Sequence, residues 1–235
     1  NHWGANIASL FFIQSTKSNF RNFLMKKYIL FDNDGVLVHT EPLYFKANIK
    51  ALKEHFDVEL KFDEYMKIMS EGTTVWQKAL DKGFSLDEIE IARNKRNEYY
   101  QEFLKTEDIL IQGVKEVLKE LSKKYKMGIV TTSRRVDFEI IHKDLGIVDF
   151  MDFVLCEEDY NFAKPHPEPY LKGLEMFGAT KDEAIVIEDS TRGLTEAYKA
   201  GIECVIVKNE FTITQDFSKA SYFIDNLNEL KTILD

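Results

Sequence analysis

The sequence predicts an α/β fold in which a parallel sheet is covered on both faces and a small helical domain is inserted after the first strand. Two observations support this prediction. Short apolar runs alternate with segments whose apolar residues recur every three or four positions, which is the pattern of parallel strands joined by crossover helices. The stretch from about 40 to 109 breaks this alternation, because it reads as consecutive helices.

The strands are predicted from runs rich in Ile, Val, Leu and Phe. Each run is continuously apolar, as expected for a strand buried on both faces. The first run stops at the polar turn Asp32-Asn33-Asp34-Gly35, so a strand delivers two carboxylates to a loop. The predicted strands are 28–31, 127–130, 153–155, 184–187, 204–207 and a weaker sixth, 222–224.

Helices are predicted from their apolar spacing, both between the core strands and in the inserted stretch. Core helices are expected at 114–121 and at 193–200, the second ending before Gly201. The inserted helices are predicted at 43–56, 62–69, 74–80 and 87–104. We therefore expect an α/β core of 25–39 and 110–235, a helical cap of 40–109 placed as a lid, and an N-terminal extension, 1–24, with no assigned function.

Composition and charge exclude several functional classes. The 235 residues are 44% hydrophobic with a formal net charge of −9, and no basic stripe counters that charge, so no nucleic-acid partner is expected. No apolar run approaches the ~18 residues that a membrane-spanning helix needs. Cys156 and Cys204 lie in apolar runs without metal-ligand spacing, so buried free thiols and a cytoplasmic location are expected. We expect a monomer or a weak dimer.

Asp32 and Asp34 are the first candidate functional residues. They lie one residue apart in an extended loop, and two like charges in that arrangement need a cation between or beside them. Mg²⁺ is the natural candidate, because it binds a few carboxylates together with water and phosphate oxygens. On these two residues alone, a turn or capping pair is the more ordinary use of aspartates after a strand.

Three later segments add chemistry at other predicted strand ends. Glu188-Asp189 follows the strand at 184–187 and can supply further carboxylates to the same cation. Lys164 follows the strand at 153–155 and can bind phosphate or hold a carboxylate ionised. Thr131, Thr132 and Ser133 follow the strand at 127–130 and offer hydroxyl donors, although Ser133 is also suited to cap a helix.

The order of these segments resembles a known pattern. The first-strand sequence Asp32-Asn33-Asp34-Gly35-Val36-Leu37-Val38, then Thr131, Lys164-Pro165 and Glu188-Asp189, resembles the four motifs of the haloacid dehalogenase-like hydrolase superfamily over about 26–226. The resemblance implies a Rossmann-like core and the helical cap of the subgroup that contains sugar-phosphate phosphatases and β-phosphoglucomutase. It implies a phosphatase that acts on a small phosphorylated metabolite.

Roles for individual residues follow from the same resemblance. Asp32 would be the nucleophile that forms an aspartyl-phosphate, and Asp34 would protonate the leaving alcohol and then activate water. Mg²⁺ would be held by the Asp32 carboxylate, the Asp34 backbone carbonyl and Asp189, with Glu188 binding it directly or through water. Thr131 and Lys164 would bind the phosphoryl group, beside Thr132 and Ser133.

The insert is expected to contact the substrate through the loop Glu71-Gly72-Thr73-Thr74, whereas Trp76 is better explained by helix packing. A mutase related to β-phosphoglucomutase is the alternative function. It is disfavoured because Val75 stands where that family has an Arg, Glu71 stands where it has a Lys, and His39 and Tyr44 replace two further expected side chains. A non-catalytic scaffold that binds phosphate or metal is the other alternative.

Overall fold

The structure is a computed structural model that describes residues 25–234, so the predicted extension at 1–24 lies outside the described residues. Six strands form one parallel sheet in the order 3-2-1-4-5-6. All six predicted strands are present, with bounds within one residue of those predicted. They are β1 Tyr28–Phe31, β2 Lys126–Val130, β3 Phe153–Leu155, β4 Ala184–Glu188, β5 Glu203–Val207 and β6 Tyr222–Ile224.

Each strand buries side chains on both faces of the sheet. In β1, Ile29 and Phe31 belong to the hydrophobic core on one face, whereas Leu30 belongs to the core on the other. Ile187 and Val186 of β4 divide between the two faces in the same way. Successive side chains of a strand point to opposite faces, so a sheet covered twice requires the continuous apolar runs seen in the sequence.

Helices cover both faces of the sheet and fill the insert. The third inserted helix begins at Gln77 instead of the predicted 74, because Gly72 ends the preceding helix with φ +66° and the Gln77 N–H donates to the Thr74 carbonyl in a turn. The helices are α1 Glu41–Phe56, α2 Phe62–Glu71, α3 Gln77–Asp81, α4 Leu86–Thr106, α5 Val114–Leu121, α6 Arg135–His142, α7 Glu168–Phe177, α8 Thr191–Ala200 and α9 Leu230–Leu234.

The insert of helices α1 to α4 leaves and rejoins the core at adjacent points beside the end of β1. The His39 N–H donates to the Ile109 carbonyl at 2.8 Å, and Val38 forms an antiparallel bridge with Leu110. Farther along α4, the Gln101 side-chain amide donates to Asp137 of α6 at 2.8 Å. The insert is thus anchored next to the carboxyl edge of the sheet, and its treatment as a separate cap domain stays a prediction.

The carboxyl ends of the central strands are level with one another. The Asp32 N–H donates to the Ile187 carbonyl at 2.9 Å, and the Thr131 N–H donates to the Leu155 carbonyl at 2.9 Å. Phe31 is in register with Ile129 and Ile187. The residues that follow β1, β2 and β4 therefore lie side by side at one edge.

Within residues 25–234, none of the helices combines the length and the apolar character that a membrane crossing requires.

Candidate active site

The loop after β1 is a tight turn built around Asn33. Its backbone carbonyl accepts hydrogen bonds from the N–H groups of Leu37 and Val38, at 2.8 and 3.2 Å. Gly35 has φ +80°, and a Cβ at this position would lie 2.1 Å from the Asp189 Oδ2 atom. Glycine is therefore required here both for the backbone conformation and for space. The same contact shows that the Asp189 carboxylate packs directly against the loop of the first motif.

Lys164 joins two of the predicted acidic residues. Its Nζ atom donates to Asp32 Oδ1 at 2.7 Å and also to Glu188 Oε1. Asp32 and Lys164 are each 7% exposed, and Glu188 is 0% exposed. Burial opposes the charge of Lys164, but the carboxylates of Asp32 and Glu188 outweigh it and raise the lysine pKa well above its ordinary value. The Lys164 ammonium thus lies in contact with Asp32, the predicted nucleophile, as the sequence led us to expect.

Burial and the neighbouring carboxylates affect the pKa of Asp32 more strongly than Lys164 does. Burial, followed by the Glu188 carboxylate, raises the pKa of Asp32 to about 7, although Lys164 acts in the opposite direction. Burial and the charges of Asp32 and Glu188 also raise the pKa of Asp189 well above its ordinary value. A further cation at this point would favour the ionised form of both aspartates.

Both oxygens of Glu188 are occupied by protein donors. Oε1 accepts from Lys164 and from the Tyr170 hydroxyl at 2.8 Å, while Oε2 accepts from the Asp189 N–H at 3.1 Å and the Ser190 hydroxyl at 3.1 Å. These contacts suit a residue that orients Lys164. The predicted role of Glu188 as a metal ligand stays a prediction.

Asp34 faces hydroxyl groups from two directions. Ser133 Oγ donates to Asp34 Oδ2 at 2.8 Å, with Thr131 Oγ1 at 3.4 Å from the same oxygen, and Thr40 Oγ1 donates to Asp34 Oδ1. Thr131 is 1% exposed and its Oγ1 also accepts from the Ser133 N–H at 3.1 Å. Ser133 and Thr131, predicted to bind phosphate, therefore hold the predicted acid/base here.

Three residues of this site were not assigned a role from the sequence. Thr40 contacts Asp34 as described, and Asn209 donates to Asp189 Oδ2 at 2.7 Å. His142, on α6, forms a 2.8 Å hydrogen bond from Nε2 to Asn33 Oδ1, and burial lowers the pKa of this histidine to about 4. A neutral imidazole thus supports the loop between the two aspartates. Asn209 could have been found from its place two residues after the strand at 204–207.

Two cavities open at this edge of the sheet. The smaller, of about 130 Å³, lies directly over Asp32, Lys164 and Asp189. The larger, of about 880 Å³, lies between the insert and the strand ends. Asp34 and Thr132 line both cavities, so the two spaces meet at the predicted acid/base.

The predicted substrate loop contributes only in part. Thr73 and Thr74 line the larger cavity, whereas Glu71 and Gly72 line neither of the two described cavities. The reason is the left-handed Gly72, which ends α2 and leaves Glu71 exposed with its carboxylate 3.8 Å from the ammonium of Lys67. Trp76 packs edge-on against Phe56 with their ring centroids 6.4 Å apart, in agreement with the prediction that it packs between helices. It also lines the larger cavity.

Comparison with known proteins decides the family. The family model described as haloacid dehalogenase-like hydrolase matches residues 29–207, which is most of the chain. The chain belongs to the haloacid dehalogenase-like hydrolase family. It is similar to the pyrophosphatase PpaX of Bacillus mycoides (strain KBAB4), with 26% identity over 210 residues that cover 88% of this chain and 95% of that protein. The predicted family and the prediction of a hydrolytic enzyme are confirmed.

Solved structures show the same fold. A predicted phosphoglycolate phosphatase from Haemophilus somnus 129pt superposes with a TM-score of 0.80 at 24% identity, covering 90% of this hydrolase and 99% of that chain. CbbY from Rhodobacter sphaeroides in complex with phosphate gives a TM-score of 0.74 at 22% identity, covering 88% and 96%. A putative β-phosphoglucomutase from Thermotoga maritima gives 0.69 at 24% identity, covering 88% and 98%.

The acidic cluster of this hydrolase has the composition of a site for a divalent cation. Carboxylate oxygens of Asp32, Glu188 and Asp189 lie within 4.8 Å of one another and are buried. Carboxylates are the ligands that Mg²⁺ prefers, and a single lysine leaves this cluster with excess negative charge. The donor set and its charge therefore fit Mg²⁺.

Proposed function

We propose that this hydrolase is a Mg²⁺-dependent phosphatase that hydrolyses the monoester of a small phosphorylated metabolite through an aspartyl-phosphate on Asp32. The observation that carries this proposal is the contact of Lys164 with Asp32 inside the buried acidic cluster, beneath a cavity that Asp34 also lines. The positive charges of a lysine and of a bound cation offset the repulsion between a buried carboxylate and a phosphoryl group, so the carboxylate can attack phosphorus.

In the first step, a carboxylate oxygen of Asp32 attacks phosphorus in line and the phosphorus–oxygen bond to the substrate alcohol breaks. Asp34 gives a proton to the departing oxygen, and Lys164 stabilises charge on the phosphoryl oxygens. In the second step, Asp34 takes a proton from water, the water oxygen attacks phosphorus, and the bond to Asp32 breaks to release inorganic phosphate. Thr40 and Ser133 keep Asp34 in position for both proton transfers.

Asp32 and Asp189 would hold Mg²⁺, with the Asp34 backbone carbonyl as the third protein ligand proposed. When bound, the ion supplies positive charge that offsets the aspartates and the phosphoryl oxygens. Asn209 fixes the Asp189 carboxylate, and Glu188 fixes Lys164.

The insert supplies the other wall of the substrate cavity through Thr73, Thr74 and Trp76. Thr132 lies on the core side, where the smaller and larger cavities meet. Substrate bound across this junction would place its phosphoryl group over Asp32 and the rest of the molecule under the insert. The cavity volume of about 880 Å³ is sufficient for a sugar-sized group.

The test is turnover of p-nitrophenyl phosphate and of an alkyl phosphate, with Mg²⁺ and with EDTA. Asp32→Asn is expected to lower kcat by at least about a thousandfold on both substrates, because covalent catalysis is lost. In single-turnover measurements, Asp34→Asn is expected to impair formation of the phosphoenzyme far more for the alkyl phosphate than for the aryl phosphate, since p-nitrophenolate leaves without protonation. Its second step is expected to slow equally for both substrates, because Asp34 also activates water. Turnover that survives in Asp32→Asn would remove this residue as the nucleophile.

Two other results would replace the proposal. Interconversion of hexose phosphates without release of phosphate would establish the mutase alternative. Binding of phosphate esters with no turnover of any of them by the folded wild-type protein would establish the scaffold alternative.

A further inference from the structure

Arg96, on inserted helix α4, carries a buried guanidinium that has no acidic partner in the described part of the chain. It is 7% exposed, and no Asp or Glu oxygen within residues 25–234 lies within 4.0 Å of its nitrogens. Its Nη1 donates to Asn48 Oδ1 at 3.0 Å and its Nε donates to Asn97 Oδ1 at 2.9 Å. In the described part of the chain, Nη2 donates to no protein acceptor. Arg96 also lines the larger cavity, which it shares with Asp34.

The other arginines of this cavity differ from Arg96. Arg134 binds Asp137 through two nitrogens, at 2.8 and 3.0 Å, and Arg93 lies 3.5 Å from Glu90. Arg192 has no carboxylate within 4.0 Å among the described residues, but it is exposed to solvent. Among these four, Arg96 alone is both buried and without an ion pair to any described residue.

An unpaired buried charge is costly, and an arginine cannot avoid the cost by losing its proton. Burial lowers the pKa of Arg96, Tyr44 opposes this effect, and the like charges of Arg93 and Arg134 add to it. What holds the guanidinium is neutral: two amide oxygens, the Tyr44 ring at 4.4 Å and the Trp76 ring at 5.8 Å. Neutral partners orient the group without cancelling its charge.

We propose that the substrate carries a second anionic group, a carboxylate or a second phosphate, and that Arg96 binds it at the insert end of the cavity. This inference rests on the proposed phosphatase function and narrows its substrate class to phosphate esters that carry a second anionic group. The first anionic group lies over Asp32 and Lys164, and the second completes the missing ion pair of Arg96. Asn48, Asn97 and the two rings act as positioning groups for the guanidinium.

Because Arg96 belongs to the insert, the insert would distinguish substrates by whether they carry an anionic group at the end remote from the phosphoryl group. Among the insert residues that line the cavity, Val75 is apolar and Thr73 and Thr74 offer only hydroxyls. Glu90 and Arg93 also line it, but they form an ion pair with each other. A substrate without a second anion would leave the buried guanidinium without a counter-charge in the complex as well. Discrimination against such substrates is therefore built into the cavity wall.

The test measures binding in an Asp32→Asn background, where turnover does not interfere, by titration calorimetry in the presence of Mg²⁺. Three matched pairs of probes differ only in the second anion: 2-phosphoglycolate and 2-hydroxyethyl phosphate, glucose 1,6-bisphosphate and glucose 1-phosphate, and methylenediphosphonate and methylphosphonate. In at least one pair the member with the second anionic group is expected to bind about 10- to 100-fold more tightly, the range for a charge-assisted hydrogen bond to a buried group. The pair that responds identifies the second group as carboxylate or phosphate.

Adding Arg96→Gln is expected to reduce that ratio of Kd values to about 1, and Arg96→Lys to retain part of it, because the charge stays while the fork geometry is lost. Lys95→Gln on the same helix removes an equal charge from an exposed ion pair with Glu98 and is expected to leave the ratio unchanged. A ratio is informative because a merely structural role of Arg96 would weaken both members of a pair alike.

The inference is overturned if all three pairs bind with ratios near 1, if the ratio survives Arg96→Gln, or if Arg96→Gln weakens both members equally. Failure of the proposed function is a separate result, because it would appear as the absence of phosphate release by the wild-type enzyme from p-nitrophenyl phosphate and from the four phosphate esters among these probes. The binding ratios would still decide the role of Arg96.

Discussion

Glu196 provides a sharp test of the electrostatics beneath the active site. This residue of α8 is 0% exposed, its Oε1 accepts from the Tyr170 N–H at 3.0 Å, and its Oε2 has no hydrogen-bond partner among the described residues. Burial raises the pKa of Glu196 from an ordinary 4.5 to about 8, with Lys164 opposing the shift and Glu188 adding to it. The carboxyl group is therefore protonated in the folded protein at neutral pH.

The sign of the effect follows from proton linkage. Between pH 4.5 and about 8 the folded state binds a proton that the unfolded state has released, so the free energy of unfolding falls as pH rises through this window. Glu196→Gln resembles the protonated form and has no proton to lose. At about 1.36 kcal/mol per pH unit, the variant is expected to match the wild type near pH 5 and to be more stable by roughly 2 to 5 kcal/mol at pH ~8.5.

The assay is urea unfolding followed by circular dichroism over this pH range, in EDTA. The raised pKa values of Asp32 and Asp189 affect both proteins, so their contributions largely cancel in the difference between variant and wild type. Glu183→Gln is the matched control, because the pKa of Glu183 is shifted in the opposite direction: the Lys27 ammonium lowers it to about 2. Removing the Glu183 carboxylate is therefore expected to bring no gain in stability at alkaline pH. The reasoning is refuted if Glu196→Gln changes stability equally at all pH values or is less stable than the wild type at alkaline pH.

Two further substitutions test the contacts of Glu188. Lys164→Met leaves Asp32 and Glu188 facing each other without a cation, and it is expected to lower the free energy of unfolding by about 3–5 kcal/mol in urea titrations. Lys126→Met, which removes the exposed ion pair with Asp152, is the control and is expected to lower it by at most about 1 kcal/mol. Equal losses in the two variants would contradict this expectation. A change from Gly to Ala ordinarily stabilises a helix by about 1 kcal/mol. In Gly193→Ala, however, the new Cβ would lie 1.7 Å from Glu188 Oε1, so we expect a lower Tm in thermal unfolding. An unchanged or raised Tm would count against the described packing.

The strands could be predicted closely because their signal is local and physical. A segment buried on both faces has to be continuously apolar, and it ends where the first polar residue meets solvent or a site, as at Asp32. The start of α3 could not be placed as well, because it depends on the turn that follows the left-handed Gly72. A glycine in the sequence permits that conformation without requiring it.

The same distinction applies to the site. Asp32, Lys164 and Asp189 could be brought together from the sequence because parallel strands present their carboxyl ends at one edge. Thr40 and His142 could not, since the first reaches back from the start of the insert and the second reaches Asn33 from α6. Arg96 was also missed, because its proposed role depends on the lack of an ion pair to it within residues 25–234, which only the packing of α1 against α4 determines.

Glu188 and Asp189 show why adjacent acidic residues cannot be assigned one shared role. Glu188 closes β4 and points to Lys164 and Tyr170, whereas Asp189 points to Gly35 and Asn209. Lys164 is thereby committed to Glu188 and Asp32, and its single charge does not extend to the Asp189 side of the cluster. A divalent cation on that side and a lysine on the other would flank Asp32, the proposed nucleophile, with positive charge. A phosphoryl group could then enter between them although the protein carries a net charge of −9.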